Sequence, residues 1–392
     1  MKNLIAGNPE TNPPRESKML VVQADYEPMK GVENPGSHQI YRNSRVSVQK
    51  RILGDLQPSD IRVEMLYAGV CGTDVHLLTN HSETGYICCS SPSEIPVTGR
   101  VIGHEGVGRV LATGANVQHV KPGNYITMES ILVCNCCVPC KKGKFNQCFN
   151  AKLLGMEKDG VFGSVVDIPG MITHDITELI KSEQDLHALA CIEPASVAYV
   201  ACENAKITPG DVVLVFGAGP IGVLSAMISK EVFGASEVHI VEPVPFRREF
   251  AKQWADYVYN EEEFFTQSSQ KVDIVFEASG CLENVNRVFR RINPNGSVVL
   301  LARMGETFFL EHVDHMITNE ISIVGSRGHL CGAFSNILNL YKRGKISPAD
   351  IITKIIHGQE ELCALFNEKE QIINENCKVL VKFSPSDFSP TI

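Results

Sequence analysis

The chain has 392 residues, of which 44% are hydrophobic and 21% charged, and its formal net charge is −9. This length predicts two domains, and the composition is that of a globular protein. The negative charge argues against a nucleic-acid partner, and no apolar run approaches the ~18 residues that suggest a membrane span. The first 18 residues lack the apolar core of a signal peptide, so a cytoplasmic location is expected. The fourteen cysteines favour metal ligands and buried thiols over disulfides.

The first half of the chain has the pattern of short β-strands. A polar, proline-containing stretch at residues 1–18 predicts a loose N-terminal extension. Alternating runs such as Ile61–Leu66 and Val107–Ala112 follow, punctuated by glycine and proline. They predict a β-rich domain over residues 19–193.

Residues 194–324 change to an alternation of strand-length and helix-length segments. This alternation predicts an α/β domain with a doubly wound parallel sheet of six strands, the Rossmann arrangement. Five apolar runs predict strands of that sheet: Val212–Phe216, Glu237–Glu242, Asp273–Ala278, Ser297–Ala302 and Ile321–Gly325. In residues 325–392 we expect a helix at Cys331–Lys342, a final strand at Lys378–Phe383 and a return to the first domain.

A glycine-rich turn directly follows the first of these strands. Gly217, Gly219 and Gly222 form the pattern G-x-G-x-x-G, with Pro220 and Ile221 before the third glycine. The first glycine permits a tight turn, the second lets a pyrophosphate approach the backbone, and the third permits close packing of helix on sheet. The phosphates would meet the positive end of the following helix. The turn predicts a dinucleotide site.

Glu242 lies twenty residues beyond Gly222, at the end of the next predicted strand. A carboxylate there can accept hydrogen bonds from the ribose hydroxyls and repels a 2′-phosphate. It therefore favours NAD over NADP. Arg247 and Arg248 follow closely, and they are either cofactor-binding residues that would accommodate such a phosphate or exposed helix residues.

Four cysteines form the spacing C-x2-C-x2-C-x7-C, at Cys134, Cys137, Cys140 and Cys148. Four thiolates on one short segment can complete a tetrahedral shell around zinc and leave no open position. The segment 134–148 is therefore predicted to be a structural zinc lobe. Cys136 breaks the regular spacing and is expected not to be a ligand.

Three further segments contain residues of the types that bind zinc. They are Gly69–His76, Gly103–Gly108 and Cys191–Ser196. Each alone is unremarkable, because a single His or Cys is most often a buried core residue. Together they offer Cys, His and Glu, a mixed set suited to a catalytic zinc that keeps one position for substrate.

With these motifs in order from about Met19 to Phe383, the chain resembles the zinc-containing medium-chain dehydrogenase/reductase family, which includes alcohol, sorbitol, threonine and glucose dehydrogenases. The shared motifs are Cys-Gly-Thr-Asp-x-His, Gly-His-Glu, the four-cysteine lobe, Glu-Pro and the glycine turn. The resemblance implies a GroES-like catalytic domain beside the Rossmann domain. It also implies two zinc ions per chain, NAD, a small-molecule alcohol as substrate, and a homodimer or homotetramer.

The resemblance implies the catalytic metal ligands as well. Cys71 and His104 would bind the zinc, and Glu105 would be a direct ligand in some states. Glu193 would bind the zinc directly or through a water. Cys191 is the competing candidate for this ligand. The proline that follows Glu193 matches the Glu-Pro motif of the relatives, and this alignment favours Glu193 over Cys191.

The resemblance also implies roles for three residues around these ligands, which would orient a metal ligand or transfer the proton of the substrate. Asp74 would orient His104. Thr73 would accept the proton of the substrate hydroxyl, and His76 would relay it towards solvent. Zinc lowers the pKa of a hydroxyl, and the cofactor then accepts the hydride.

Two features bear on the substrate. The connection between Cys71 and His104 is long and includes Ser82–Gly99, which is either a loop that shapes the substrate site or a neutral insertion. Arg303 follows the predicted strand Ser297–Ala302 and either faces the cleft, where it could recognise an anion, or lies on the surface.

The leading hypothesis for function is a zinc-dependent dehydrogenase that acts on the secondary hydroxyl of a polyol, sugar or sugar-like substrate. A dehydrogenase of an amino or hydroxy acid is the alternative within enzymes. A non-catalytic protein that binds nucleotide and zinc is the alternative of another class.

Overall fold

The structure is a computed structural model that describes residues 15–305 and 307–383, without the side chain of Glu370. Its N-terminal part is β-rich and carries three short α-helices. The strands are β1 (Glu16–Tyr26), β2 (Tyr41–Ile52), β3 (Asp60–Val70), β4 (Arg100–Val101), β5 (Gly106–Thr113), β6 (Tyr125–Met128), β7 (Ile131–Leu132), β8 (Lys152–Leu153), β9 (Val165–Pro169) and β10 (Thr173–Asp175). The helices are α1 (Gly72–Leu78), α2 (Val138–Lys141) and α3 (Glu183–Ala190).

The predicted N-terminal extension is too long by three residues. Strand β1 begins at Glu16 because Glu16, Ser17 and Lys18 pair with residues 50–52 of β2. Ser17 is buried, and its hydroxyl accepts a hydrogen bond from the backbone of Val165. Residues 1–14 lie outside the described part of the chain.

The second part alternates strands with helices. Its elements are α4 (Ile192–Ala205), β11 (Val212–Phe216), α5 (Pro220–Glu231), β12 (Glu237–Val241), α6 (Pro245–Ala251), β13 (Tyr257–Tyr259), α7 (Glu261–Gln267), β14 (Val272–Glu277), α8 (Glu283–Val288), β15 (Ile292–Leu300), α9 (Val313–Thr318), β16 (Ser322–Gly325) and α10 (Ala333–Lys342). Short 3-10 helices occur in both parts and beyond, at Ser37–Gln39, Phe145–Gln147, Gly170–Ile172, Thr177–Leu179, Phe289–Arg291 and Pro348–Ile351.

The six strands of this second part form one parallel sheet in the order β13-β12-β11-β14-β15-β16. In order of appearance this is 3-2-1-4-5-6, the Rossmann order. Alternate residues of β11 enter different cores: Val213 and Val215 pack with α4 and α5, whereas Leu214 and Phe216 pack with α7 and α8. Helices therefore cover both faces, and the predicted doubly wound sheet is confirmed.

The end of the chain returns to the β-rich part. It contains β17 (Ile352–His357), α11 (Gly358–Asn367), α12 (Lys369–Asn374) and β18 (Lys378–Lys382). Strand β18 pairs antiparallel with β3, and the larger β-rich sheet has the order β10-β6-β5-β3-β18-β17, with β9 also on β3. Helix α10, by contrast, packs on α4 in the core of the second part.

None of the described helices is long and apolar enough to cross a membrane. The strand order still matters for function, because ligands of a doubly wound sheet bind outside the carboxyl ends of its strands, where the order reverses. Here that point lies between β11 and β14, beside the glycine-rich turn at residues 217–222.

Candidate active site and metal centres

The four lobe cysteines come together around α2 and the 3-10 helix at Phe145–Gln147. Their sulfurs lie 3.5 Å apart for Cys137 and Cys140, 3.8 Å for Cys137 and Cys148, and 3.5 Å for Cys134 and Cys148. A tetrahedron with Zn–S bonds of about 2.3 Å has S–S edges of about 3.8 Å. The four side chains thus fit one zinc ion, while Cys136 is exposed and outside the cluster.

A second cluster combines Cys71, His104 and Glu105, whose ligand atoms all lie within 4.8 Å of one another. Cys71 is the residue before α1, and its backbone N–H donates to Oδ2 of Asp74 at 3.0 Å. Oδ1 of the buried Asp74 faces Nδ1 of His104 at 3.8 Å, longer than a hydrogen bond, and both atoms lack a described partner. This leaves Nε2 of His104 for a metal.

The electrostatics of this cluster also suit a cation. Burial alone would lower the pKa of His104, but the neighbouring Cys71 and Asp74 raise it well above its usual value. A site in which a buried imidazole favours a positive charge is one that zinc can occupy in place of the proton. Thiolate, imidazole and carboxylate are all ligand types of catalytic zinc.

Thr73 and His76 lie on α1, immediately beyond Cys71. The Thr73 hydroxyl is 3.7 Å from the Cys71 sulfur. His76 follows Thr73 by three residues, so the two side chains share one face of the helix. Burial lowers the pKa of His76, which keeps its imidazole neutral and able to accept a proton near pH 7.

Glu105 also takes part in a completely buried ion pair with Lys378 of β18. The Lys378 ammonium donates to the carbonyl of Val70 at 3.0 Å as well. Burial disfavours its charge, but the Glu105 carboxylate raises its pKa. The lysine competes with a metal for Glu105, and the sequence did not indicate it.

Glu193 lies outside the compact cluster of described ligand atoms. Its Oε1 accepts a hydrogen bond from the Ser130 hydroxyl at 2.8 Å and lies 3.2 Å from Nδ1 of His329. Burial alone would raise the pKa of Glu193, but His329 and Ser130 lower it to about 2. The carboxylate is therefore ionised, and two side chains that the sequence did not single out hold it.

The competing cysteine, Cys191, lies between α3 and α4 in the core shared with the Rossmann helices. Burial raises the pKa of its thiol to about 12. In the described part of the chain it belongs to neither metal cluster. Its surroundings are those of a core residue.

The glycine turn has the geometry that its pattern predicts. Gly217 has φ +95°, and a Cβ on Gly222 would lie 1.9 Å from the carbonyl oxygen of Gly217. Pro220 begins α5, and Ile221 is its second residue. The buried Glu242 follows β12, and its carboxylate accepts from the backbone of Ala218 at 2.6 Å and of Val244 at 2.8 Å.

The two arginines beyond Glu242 behave differently. Arg247 donates from Nε to the carbonyl of Asn376 at 3.0 Å, and its Nη1 lies 3.6 Å from where a Cβ of Gly219 would be. Arg248 donates to the carbonyls of Glu242 and Pro243, each at 2.9 Å. Arg247 therefore faces the middle glycine of the turn, where phosphates approach.

Residues 376–378 connect the two sites. Asn376 holds Arg247 beside the glycine turn, and Lys378 holds Glu105 in the second metal cluster. This short segment thus links the dinucleotide turn to the mixed metal cluster. Ligands of doubly wound sheets bind at the edge of the sheet where this turn lies.

The segment Ser82–Gly99 packs against the small sheet that β1, β2 and β4 form. The Tyr86 hydroxyl donates to the carbonyl of Glu27 at 2.9 Å, and the Ile95 N–H donates to the Tyr41 hydroxyl at 3.0 Å. Ile87, Cys89 and Ile95 are buried. The segment extends the catalytic part on the side of α1.

A Rossmann sheet joined to a β-rich domain, with one closed and one mixed metal cluster, defines a nucleotide-dependent metal oxidoreductase. The family model "Alcohol dehydrogenase GroES-like domain" matches residues 57–178, and "Zinc-binding dehydrogenase" matches residues 220–343. The chain belongs to the zinc-containing medium-chain dehydrogenase/reductase family. It is an oxidoreductase of the CH–OH group that uses zinc and a nicotinamide dinucleotide.

Relatives agree with this placement at low identity. D-xylulose reductase A of Aspergillus oryzae is 28% identical over 345 residues, covering 84% of this chain and 90% of the relative. Starvation-sensing protein RspB of Escherichia coli is 28% identical over 354 residues, covering 88% and 98%. An alcohol dehydrogenase structure from Thermotoga maritima has TM-score 0.82 at 25% identity, covering 93% and 100%. The NADH complex of rspB from E. coli has the same fold, with TM-score 0.77 at 24% identity, covering 94% and 100%.

Proposed function

We propose that the chain transfers a hydride between the secondary hydroxyl of a polyol, sugar or sugar-like substrate and NAD. The observation that carries this proposal is the mixed cluster of Cys71, His104 and Glu105, which residues 376–378 link to the glycine turn. Relatives named as D-xylulose reductase support a polyol. When bound, zinc supplies Lewis-acid polarisation of the hydroxyl, and NAD accepts the hydride.

The residues of this chain would bind and orient the reactants and move the proton. Cys71 and His104 would hold the metal, and Glu105, which is paired with Lys378, would be the third ligand if that ion pair opened. Glu193, held by Ser130 and His329, contributes a negative charge from one side of the site. We expect its contact with the metal to run through a water, because it lies outside the compact cluster.

The hydroxyl proton leaves through α1. Thr73, beside Cys71, accepts it, and the neutral imidazole of His76 on the same helix face takes it onward to solvent. General acid–base steps of this kind contribute about 10²–10⁴-fold to a rate. His76 is half-buried, so part of its side chain is in contact with solvent.

NAD is the proposed cofactor rather than NADP. The Glu242 carboxylate accepts two backbone N–H groups beside the glycine turn, which places its charge where the adenosine ribose binds. Arg247 would bind the pyrophosphate. A 2′-phosphate would meet the carboxylate of Glu242 first.

We also infer a homodimer or a tetramer built from it, and a cytoplasmic location. All fourteen cysteines are unpaired, as is typical of proteins in a reducing compartment. Strand β16 lies at an edge of the parallel sheet, next to exposed apolar side chains of α9. Edge strands of this kind are normally covered.

The test is initial-rate measurement of NADH formation with polyols, sugars, hydroxy acids, amino alcohols and ethanol. Polyols or sugars should exceed ethanol in kcat/KM by at least about tenfold, a difference of roughly 1.4 kcal/mol in transition-state stabilisation. Glu193→Ala should lower kcat strongly while NADH binding persists, because the glycine turn and Glu242 are elsewhere. Ethanol as the best substrate would overturn the polyol assignment, and no turnover of any alcohol would favour a non-catalytic protein.

A further inference from the structure

Two arginines follow the carboxyl ends of neighbouring strands in the parallel sheet. Arg303 comes three residues after β15, and Arg327 comes two residues after β16. These strands pair in parallel with Leu300 opposite Gly325, and the Ser326 N–H donates to the Leu300 carbonyl at 3.0 Å. Both guanidinium groups therefore belong to the edge of the sheet at which ligands bind.

Neither arginine forms an ion pair with a carboxylate of the described residues, and both are exposed. The arginines that do form such pairs are Arg15, Arg42, Arg45, Arg51, Arg62, Arg100, Arg109 and Arg287. Partial burial and the neighbouring charge of Arg327 lower the pKa of Arg303. Two like charges are thus held near each other without a compensating acid among the described side chains.

The residues that flank the arginines contact the metal site on one side and the β-rich part on the other. His329, two residues beyond Arg327, lies 3.2 Å from Glu193 in the metal site. A Cβ on Gly305, two residues beyond Arg303, would lie 3.2 Å from Nε2 of His38 and 3.3 Å from Cβ of Ser90. One arginine is therefore near the metal site, and the other is where the two domains meet.

The phosphates of the dinucleotide do not account for this pair. The glycine turn follows β11, and Arg247 already faces its middle glycine. In the sheet, β14 lies between β11 and β15. The two arginines are thus displaced from the pyrophosphate position towards the substrate side.

We infer that Arg303 and Arg327 bind an anionic group of the substrate, so that the polyol carries a carboxylate or a phosphate at the end remote from the oxidised hydroxyl. This inference rests on the proposed function and narrows its substrate class. Guanidinium groups match both anions in bidentate geometry. The same pair repels a substrate ammonium group, which disfavours amino alcohols.

The experiment compares three substrates that differ in charge: a hexitol, the corresponding hexonate and the hexitol phosphate. Wild-type enzyme with NAD should favour one anion over the hexitol by at least about tenfold in kcat/KM. The anion with the higher kcat/KM shows whether the substrate carries a carboxylate or a phosphate. Arg303→Gln and Arg327→Gln should each reduce the ratio of anion to hexitol efficiency by about ten- to a hundredfold, as expected for hydrogen bonds to charged groups.

Arg290→Gln is the matched control. Arg290 is exposed, lacks an ion pair with described residues, and precedes β15, at the opposite end of the strand from Arg303. Its substitution should leave the ratio unchanged. Fluorescence titration of the enzyme–NADH complex gives a readout independent of turnover: the anion's Kd should rise in both Arg variants and with ionic strength.

The outcomes separate the two proposals. This inference is overturned if the hexitol is used as well as or better than both anions. It is also overturned if neither Arg variant changes the ratio of anion to hexitol efficiency. In both cases the proposal of a polyol dehydrogenase still holds. No oxidation of any of the three, with other alcohols also inert, overturns the proposed function itself. An anion Kd that is insensitive to salt and to both substitutions also argues against the pair.

Discussion

His329 has a tautomer that the backbone determines. Its Nε2 accepts the N–H of Ser130 at 3.0 Å, so the proton lies on Nδ1, which faces Oε1 of Glu193 at 3.2 Å. An imidazole nitrogen held this close to a carboxylate orients that carboxylate. At the scale of single residues, His329 is therefore a positioning residue for Glu193.

We predict that His329→Leu lowers kcat by about ten- to a hundredfold, as losses of such supporting contacts do. His329→Asn, whose amide can replace the Nδ1–H donor, should recover part of the rate. The NADH Kd and the zinc content should remain those of the wild type in both variants. Equal losses in the Leu and Asn variants, or a change in KM alone, would contradict the positioning role.

Arg247 and Glu242 make separable contributions to cofactor binding. Arg247 lies over the middle glycine of the turn, and the pyrophosphate it would bind is common to NAD and NADP. Arg247→Gln should therefore raise KM for both cofactors by a similar factor, about tenfold. Glu242→Ala should instead raise the ratio of NADP to NAD efficiency. If Arg247→Gln affects NADP alone, Arg247 serves a 2′-phosphate.

The sequence predicted the ligands better than their partners. Local spacing was enough to select the four lobe cysteines, and the resemblance of two short motifs to a known family selected Cys71 and His104. Lys378 is 273 residues from Glu105, and His329 is 199 residues from Ser130. No local pattern marks such pairs, because only the folded chain brings them together.

At the scale of elements, apolar runs predicted the buried strands well. Val212–Phe216 coincides with β11, and the predictions for β12, β14 and β16 differ from the structure by one residue at an end. The prediction for β15 began at Ser297, whereas the strand begins five residues earlier, at Ile292. The sixth strand, β13, has only three residues, Tyr257–Tyr259, at the edge of the sheet. An edge strand this short has little alternation to detect.

The four-cysteine lobe has little regular structure of its own. It contains one four-residue helix, one 3-10 turn and several exposed residues. A segment that buries so little apolar surface depends on its metal, because closed zinc sites contribute folding energy. Its stability and that of the mixed cluster should therefore respond differently to loss of a ligand.

We predict that the wild type binds two zinc ions per chain, one in each cluster. Cys140→Ser should lose one zinc and lower Tm by about 5 °C or more, since 1 kcal/mol corresponds to about 2–4 °C in a domain of this size. Cys71→Ser should lose the other zinc with a smaller change in Tm but without activity. Metal analysis and calorimetry measure both effects; a single zinc in the wild type would falsify the two-site proposal.

At the scale of the whole molecule, the candidate active site depends on the C-terminal segment, which returns to the β-rich part. Strand β18 places Lys378 beside Glu105, and Asn376 just before it binds Arg247. The sequence predicted the return from 325 onwards, but α10 stays with the Rossmann core, and the return to the larger β-rich sheet begins only at β17 and continues with β18. Apolar periodicity shows that one face of a helix is buried. It does not show which of the two domains provides the core that buries it.

The outer face of the Rossmann domain leads to the last prediction. Strand β16 pairs only with β15 among the described strands. Phe309, Val313 and Ile317 beside it are 77%, 48% and 70% exposed. A two-fold axis next to this edge would let β16 pair antiparallel with its copy and cover the apolar side chains, as closed symmetry of a homodimer requires.

The mass in solution should therefore be roughly two or four times the 43.1 kDa of one chain. Ile317→Glu places a charge in the proposed interface and should halve the mass of a dimer or split a tetramer, as measured by light scattering. Val97→Glu is the matched control, because Val97 is 98% exposed and lies in the segment Ser82–Gly99 of the other domain. A wild-type monomer, or an Ile317→Glu variant with unchanged mass, would show that this edge is not the interface.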